Sequence, residues 1–313
     1  MYNRRSFLTR LGKYAVVAGG TTMLPSWLQA QEFATEEGKT HKLTILHTND
    51  VHSRIEPFPM DGGKYAGKGG IAKRAALINK IRKEEDNVLL LDAGDMFQGT
   101  PYFNYFGGEL EMKLMSKMGY DAGTIGNHDF DGGIEGLEKQ FKAHANFPLI
   151  NCNYDFTDTI MNGLTLPHKI IKKGPLKIGI LGVGVELDGL VPAVLFKKTG
   201  YLNPVEQANK QAAILKNDYK CDYVICLSHL GYTYSSDIVS DLIMAKETES
   251  IDLIIGGHTH TFLDKPTVVE NKAGEETLVT QAGWAGILLG RLDIYFERSA
   301  KDKCIQCKNT TVE

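Results

Sequence analysis

The chain has 313 residues, 42% of them hydrophobic and 23% charged, with a formal net charge of -3. These values describe a globular protein long enough for one large α/β domain or two small ones. They exclude a basic nucleic-acid binder and a disulfide scaffold, since only five cysteines are scattered along the chain; beyond Ala30 no apolar stretch is long enough to span a membrane.

At the start, Asn3-Arg4-Arg5-Ser6-Phe7-Leu8-Thr9 resembles a twin-arginine export signal. A modest apolar segment follows from Tyr14 to Leu24, and Pro25 with the small Ala30 marks a cleavage site. An amphipathic first helix or an uncleaved anchor is the alternative, but the arginine pair with Phe7-Leu8 behind it favours export to the periplasm. No cysteine follows the apolar segment, so nothing supports a lipid anchor. The chain accordingly divides into a signal over 1–30, a polar linker over 31–41, a single catalytic domain over 42–297 and a polar, ragged tail over 298–313.

Leu43 to His47 reads as a strand, and Thr48-Asn49-Asp50-Val51-His52 as the loop leaving it. Gly69-Gly70 opens a helix running to about Glu85, with Ile71, Ala75, Ile78 and Ile81 inward. Val88 to Leu91 is continuously apolar, as a central strand covered on both faces requires, and ends in Asp92-Ala93-Gly94-Asp95. A Met- and Leu-rich helix spans Glu109 to Met118. Asp121 to Ile125 reads as a short strand and Gly132 to Asn146 as a helix, with Ile134, Leu137 and Phe141 on one stripe. Between them lies Gly126-Asn127-His128-Asp129-Phe130-Asp131, a polar turn where parallel sheets bind ligands and helix amides favour an anion. Further strands are expected at Pro148 to Cys152, Leu176 to Val183, Asp222 to Leu227, Ile251 to Ile255, Thr277 to Gln281 and Arg291 to Phe296. Val205 to Asn217 reads as a helix. The pattern is strands with helical crossovers, then more antiparallel pairing, without an internal repeat.

Five strand-ending blocks carry the polar residues: Asp50 and His52, Asp95, Asn127 and His128, His229, and His258 with His260. Five of the nine histidines fall in them. Any one of these histidines alone is a common core or surface residue; the ordered set is what signals chemistry. Carboxylate oxygen, amide oxygen and imidazole nitrogen together suit borderline ions such as Zn, Mn or Fe, and there are ligands enough for two. Paired ions about 3.5–4 Å apart clamp both the attacking and the leaving oxygen of an in-line displacement.

These blocks resemble the calcineurin-like metallophosphoesterases, over roughly residues 42 to 297. The stretches Leu46 to His52, Gly94 to Pro101 and Gly126 to Asp131 are similar to the 5′-nucleotidase branch. The resemblance implies an α/β fold in which two mixed β-sheets are sandwiched between helices, as α/β/β/α. It implies one divalent ion on Asp50, His52, Asp95 and His260 and a second on Asp95, Asn127, His229 and His258, with Asp95 bridging. A hydroxide held by the ions would attack phosphorus. His128 matches the family's catalytic histidine and Asp131 the carboxylate that orients it; Asn127 and His128 also match substrate-contacting positions. Asp129 stands where this branch more often has Glu, outside the implied coordination. A twin-arginine route, which carries folded proteins, suits a protein that loads metal before export.

The function expected is therefore hydrolysis of phosphate monoesters, nucleoside 5′-monophosphates first. A 2′,3′-cyclic phosphodiesterase or nucleotide-sugar pyrophosphatase would use the same ligands. A catalytically idle phosphate- or nucleotide-binding subunit is the non-enzymatic alternative, against which the complete ligand set and the His128-Asp131 pair both argue. A related thiosulfonate-hydrolysing branch shares the fold alone. Full-length 5′-nucleotidases carry a second domain that stacks the nucleoside, and this sequence stops soon after the catalytic region, so a separate chain bearing such a domain is an expected partner. His47 reads as structural, His41, His144 and His168 receive no role, and Asp92 braces the loop before Asp95. Cys152, Cys221 and Cys226 read as buried small hydrophobes; Cys304 and Cys307 form either a local disulfide or two idle thiols.

Overall fold

The computed structural model describes residues 40–297, 303–307 and 309–313. The export-signal reading of residues 1–30 lies outside them. The chain divides into two compact units, one of residues 1–42 with 294–305 and one of 43–293 with 306–313. Of the first, the described residues are extended strand only. The second carries every candidate site residue.

The elements in order are β1 (Thr40–Thr48), α1 (Ile71–Glu84), β2 (Val88–Asp92), α2 (Pro101–Phe106), α3 (Glu109–Met118), β3 (Ala122–Gly123), α4 (Gly133–His144), β4 (Leu149–Ile150), β5 (Tyr154–Asp155), β6 (Thr165–Leu166), β7 (His168–Lys173) and β8 (Leu176–Gly184). They continue as α5 (Ala193–Phe196), β9 (Gly200–Tyr201), α6 (Pro204–Ala213), β10 (Tyr223–His229), α7 (Asp241–Glu247), β11 (Leu253–Gly256), β12 (Thr267–Glu270), β13 (Glu276–Thr280), β14 (Leu288–Glu297), β15 (Lys303–Cys307) and β16 (Thr310–Thr311).

Two mixed sheets result. In the first, β1, β2, β3, β4 and β6 are successive parallel neighbours. In the second, β8, β10, β11 and β13 are parallel, and β7 and β12 close the edges antiparallel. Each sheet buries one face against its own helices. Leu46 and Leu90 of the first pack with Ile78 and Ile81 of α1, Met112 and Met115 of α3, and Ile134 and Leu137 of α4. Leu181, Val224 and Ile254 of the second pack with Ala208 and Ala212 of α6 and Met244 of α7. The alternate residues Ile45, Leu89, Leu91, Ile180, Ile225 and Ile255 are also fully buried, as strands covered on both faces require. This is the expected helix-flanked two-sheet α/β arrangement.

Register explains why the chemistry converges. Thr48 pairs with Asp92 and Asp92 with Gly123, so three parallel strands end level and release the loops carrying Asp50, Asp95 and Asn127 at one edge. In the second sheet Ser228 pairs with Gly256, which puts His229 and the His258 loop at its corresponding edge.

Several local expectations are corrected. The strand expected over 121–125 keeps only Ala122–Gly123 in ladder pairing, because Gly123 onward must turn toward the polar block. The helix expected from Gly132 begins at Gly133, after a 3-10 turn over His128–Phe130. Helix α6 ends at Ala213 and continues as a π-turn over Ile214–Asp218. The tail expected to be ragged contains β15 and β16: Thr310 and Thr311 pair antiparallel with Leu289 and Leu288, and Val312 is buried. His41, expected in the linker, lies in β1.

Candidate metal centre

Asp50, His52, Asp95, His258 and His260 all have left-handed backbone, with φ between 49° and 70°. That conformation is costly for residues other than glycine and persists only where the surroundings enforce it. Here the enforcement is explicit. Asp50 N–H donates to Gly94 O at 2.9 Å, His52 N–H to Asp95 O at 3.1 Å and Ser53 N–H to Met96 O at 3.0 Å. The His258 N–H donates to Asp50 Oδ1 and Oδ2 at 2.9 and 3.0 Å. The loops after β1, β2 and β11 are therefore laced together by backbone donors. Glycine is required where they touch: a Cβ on Gly126 would collide with Asp95 Oδ1, and one on Gly94, at φ 88°, would stand 2.7 Å from Gly126 N.

The side chains gather into two groups, Asp50 with His52 and His260, and Asp95 with His229 and His258. In the first, His52 Nε2 and His260 Nε2 face each other at 3.0 Å, and His260 Nε2 is 3.4 Å from Asp50 Oδ1. In the second, His229 Nε2 is 3.1 Å from Asp95 Oδ2. Asn127 Oδ1 joins it, 2.8 Å from His258 Nδ1. Asp95 Oδ2 also lies 3.8 Å from His52 Nε2, between the two groups. All seven residues expected as ligands are thus brought together. His128 and Asp131 stand at their edge: His128 Nδ1 contacts Asp131 Oδ2 at 2.8 Å, the ring lies 5.3 Å from that of His52, and the His128 N–H donates to Asp95 Oδ1 at 2.8 Å.

The donors fit divalent ions. Two imidazole nitrogens each about 2.1 Å from one ion, at angles near 90–109°, stand roughly 3.0–3.4 Å apart, as the facing nitrogens of His52 and His260 do. His52 and His229 each direct Nδ1 to a backbone carbonyl, of Phe97 and Ala93, which leaves Nε2 for a ligand role. His229 Nε2 is fully buried against the Asp95 carboxylate. The field points the same way. Burial alone would lower the His229 pKa, yet Asp95 and Asp50 raise it to about 10. Asp95, against the upward push of its own burial, is held well below the usual carboxylate range by His229, His52 and His128. Carboxylates that draw a proton onto a buried imidazole create a field that a bound cation would satisfy. His258 is pulled down to about 4, by burial first and then by His229. For His128, burial lowers the pKa but Asp131 and Asp95 outweigh it, so the net shift is upward and the imidazolium is favoured.

Supporting residues that the sequence reading passed over become visible here. Asp129 is fully buried, and its carboxylate accepts from the N–H groups of Asp95 (3.1 Å), Met96 (2.9 Å), Phe97 (3.1 Å) and Gly126 (2.8 Å). Asn49 donates from Nδ2 to Asp50 Oδ2 (2.5 Å) and Gly283 O (2.6 Å), and its Oδ1 accepts from Ala282 N–H (2.8 Å). Gln281 donates to Gly257 O at 2.6 Å and accepts from the Thr261 N–H, pinning both ends of the His258–His260 loop. Asp92 accepts from the Thr48 hydroxyl at 2.5 Å and from Gly94 N–H at 3.0 Å, in keeping with the bracing role expected for it. His47 is fully buried, neither ring nitrogen has a hydrogen-bond partner among the described residues, and it belongs to neither ligand group. Cys152, Cys221 and Cys226 are buried free thiols; Cys307 is free and half-buried, and the Cys304 side chain lies outside the description.

Comparison with known proteins gives the same family. Residues 43–262 match the calcineurin-like phosphoesterase domain. The chain is 37% identical over 279 residues to a snake venom 5′-nucleotidase from Gloydius brevicauda, covering 82% of this chain and 45% of that protein. It is 33% identical to the Rattus norvegicus 5′-nucleotidase, covering 88% of this chain and 49% of the relative. A crystal structure of a 5′-nucleotidase precursor from Thermus thermophilus superposes with a TM-score of 0.76 at 30% identity, over 87% of this chain and 54% of that one. The chain spans about half the length of the relatives it matches.

Proposed function

Since the chain belongs to the calcineurin-like phosphoesterase family, we propose that it is an exported, dinuclear-metal hydrolase of phosphate monoesters, acting on nucleoside 5′-monophosphates. The observation that carries this reading is the pair of ligand groups with Asp95 between them and the His128–Asp131 pair at their edge. Asp50, His52, Asp95 and His260 would hold one ion, and Asp95, Asn127, His229 and His258 the other. Zn, Mn and Fe all suit these donors. Bound there, such ions supply Lewis acidity that activates water and stabilises charge on the phosphoryl oxygens.

The chain's own residues do the rest. Asp131 occupies His128 Nδ1, so Nε2 is the atom that holds a proton for the ester's leaving oxygen. The upward shift of the His128 pKa favours the protonated form, which also offsets the negative charge of the phosphate. Asn127 presents an amide oxygen to the second group while its own amino group remains available to a phosphoryl oxygen.

The test is a panel of AMP, a 2′,3′-cyclic nucleotide, a nucleotide sugar and an alkyl phosphate, assayed with the chelated and the Mn- or Zn-restored protein. Turnover of AMP that disappears with chelation and returns with metal is the expected result. Full turnover by protein shown by elemental analysis to hold no metal overturns the reading. Preference for the cyclic or pyrophosphate substrates would reassign the ester class but keep the centre.

A further inference from the structure

His260 is held differently from its neighbours. His52 and His229 have Nδ1 anchored on backbone carbonyls, the usual way a ligating imidazole is kept in one tautomer and one orientation. His260 makes no hydrogen bond through Nδ1 among the described residues; its Nε2 faces His52. Its side chain is also the most open of the first group, 39% exposed against 9% for His52 and 0% for Asp50. An imidazole that is open and unanchored rotates freely about its outer torsion, and each rotation takes Nε2 away from an ion.

Against its face lies Trp284. The two rings are 5.6 Å apart between centroids and only 5° from parallel. The indole is itself fixed. Phe58 and Tyr65 meet it edge-on at 5.8 and 6.5 Å. Its backbone is tied to the Asp50 loop on both sides, by Asn49 Nδ2 to Gly283 O at 2.6 Å and by Ala285 N–H to Asp50 O at 2.7 Å. The Gly283 N–H adds a bond to Thr261 O at 2.9 Å, next to His260 itself. The segment thus reads the positions of both Asp50 and His260 and presents a rigid flat surface to the ring between them.

Building on the dinuclear reading above, we propose that Trp284 is a positioning residue for the Asp50–His52–His260 ion, its indole face replacing the hydrogen bond that His260 lacks. Stacking fixes the plane of the imidazole without occupying either nitrogen. It acts on one ion and not on the other, because His229 and His258 make no ring contact with Trp284.

Two measurements test this, neither of them activity. Trp284→Leu leaves an apolar side chain but removes the flat face; Trp284→Phe keeps a flat face, though a smaller one. After dialysis against buffered Mn or Zn, wild type and Trp284→Phe should hold two ions per chain. Trp284→Leu should hold one, with dissociation of the weaker ion raised about 10-fold or more, the usual cost of losing such support. The melting temperature of the metal-free proteins should be alike; a general packing role would lower it and weaken both ions together. Two ions in Trp284→Leu with wild-type affinity overturn the role of Trp284. Wild-type protein that takes up no metal overturns the centre itself and this inference with it. The second measurement needs no change at position 284. Trp27 and Trp284 are the only tryptophans in the sequence, so Trp27→Phe leaves one indole. A paramagnetic Co ion held on His260 should quench its fluorescence in a titration that saturates with the weaker ion. Fluorescence unchanged at full two-ion loading overturns the proposal even if Trp284→Leu fails to fold.

Discussion

At Asp129 four backbone N–H groups from two separate loops converge on one buried carboxylate. The residue would touch neither ion, yet it shapes the turn that aims Asp95 and the one that carries Asn127 and His128. Replacing it with Ala strands those donors without water, and each unsatisfied buried donor costs about 1–3 kcal/mol. Asp129→Ala should therefore lower the stability of metal-free protein by at least about 3 kcal/mol, read from urea denaturation, and lose Asp95-dependent metal binding as well. His128 gives the opposite pattern. It is half-exposed and lies outside both ligand groups, so His128→Ala should keep both ions by elemental analysis while kcat falls about 10²–10⁴-fold. Asp131→Asn should lower the rate less, since it removes orientation and charge but leaves the imidazole. Loss of an ion in His128→Ala in proportion to activity would make His128 a ligand instead.

The elements impose their own titration. On β1, His47 is buried with no hydrogen-bond partner among the described residues, and Gly290 of β14 lies so close that a Cβ there would collide with His47 Nε2. Burial lowers the His47 pKa from 6.5 to about 4. The unfolded chain therefore binds the proton more readily than the folded one between those values. Stability on this account is whole above pH 6.5 and drains away as pH falls toward 4. At 1.36 kcal/mol per pKa unit the loss by pH 4.5 is about 2.5 kcal/mol. His47→Leu should flatten the difference between pH 7 and pH 4.5 in urea midpoints by that amount; an unchanged difference would mean His47 is not neutral in the fold. How far the elements could be foreseen follows from their physics. Continuous apolar runs such as Val88–Leu91 and Leu253–Ile255 are legible because burial on both faces leaves a compositional mark. The strand His168–Lys173 and the helix Pro101–Phe106 are not, since one is a sheet-edge strand with only two adjacent Ile among three Lys and a His, and the other is short and largely exposed. The proposed ligands Asp50, His52, Asp95, Asn127, His229, His258 and His260 were legible as an ordered set of polar strand endings. Asp129, Asn49 and Gln281 were not, because their partners are backbone atoms distant in sequence, and Trp284 was not because a stack leaves no spacing to read.

For the whole molecule, the proposed ions stand where loops of two different sheets meet: Asp50, His52, Asp95 and Asn127 leave one, and His229, His258 and His260 leave the other. Ions there would act as ligands of the folded state alone. Binding of each stabilises by RT ln(1 + [M]/Kd), about 2.7 kcal/mol at a metal concentration of 100 Kd. Chelation should therefore lower the melting temperature by several degrees, and Mn or Zn should restore it in a concentration-dependent way. A melting temperature indifferent to chelation would place the ions, if bound, in a site that survives unfolding.

The left-handed loops that hold Asp50 and His260 together also set a clock. These two residues belong to one ligand group although they lie 210 positions apart in the chain. A ribosome adding roughly 5–20 residues each second needs about 10–40 s to travel from one to the other. Throughout that interval the group lacks His260. An ion on this group would find its full set of ligands only when synthesis of the domain is nearly done.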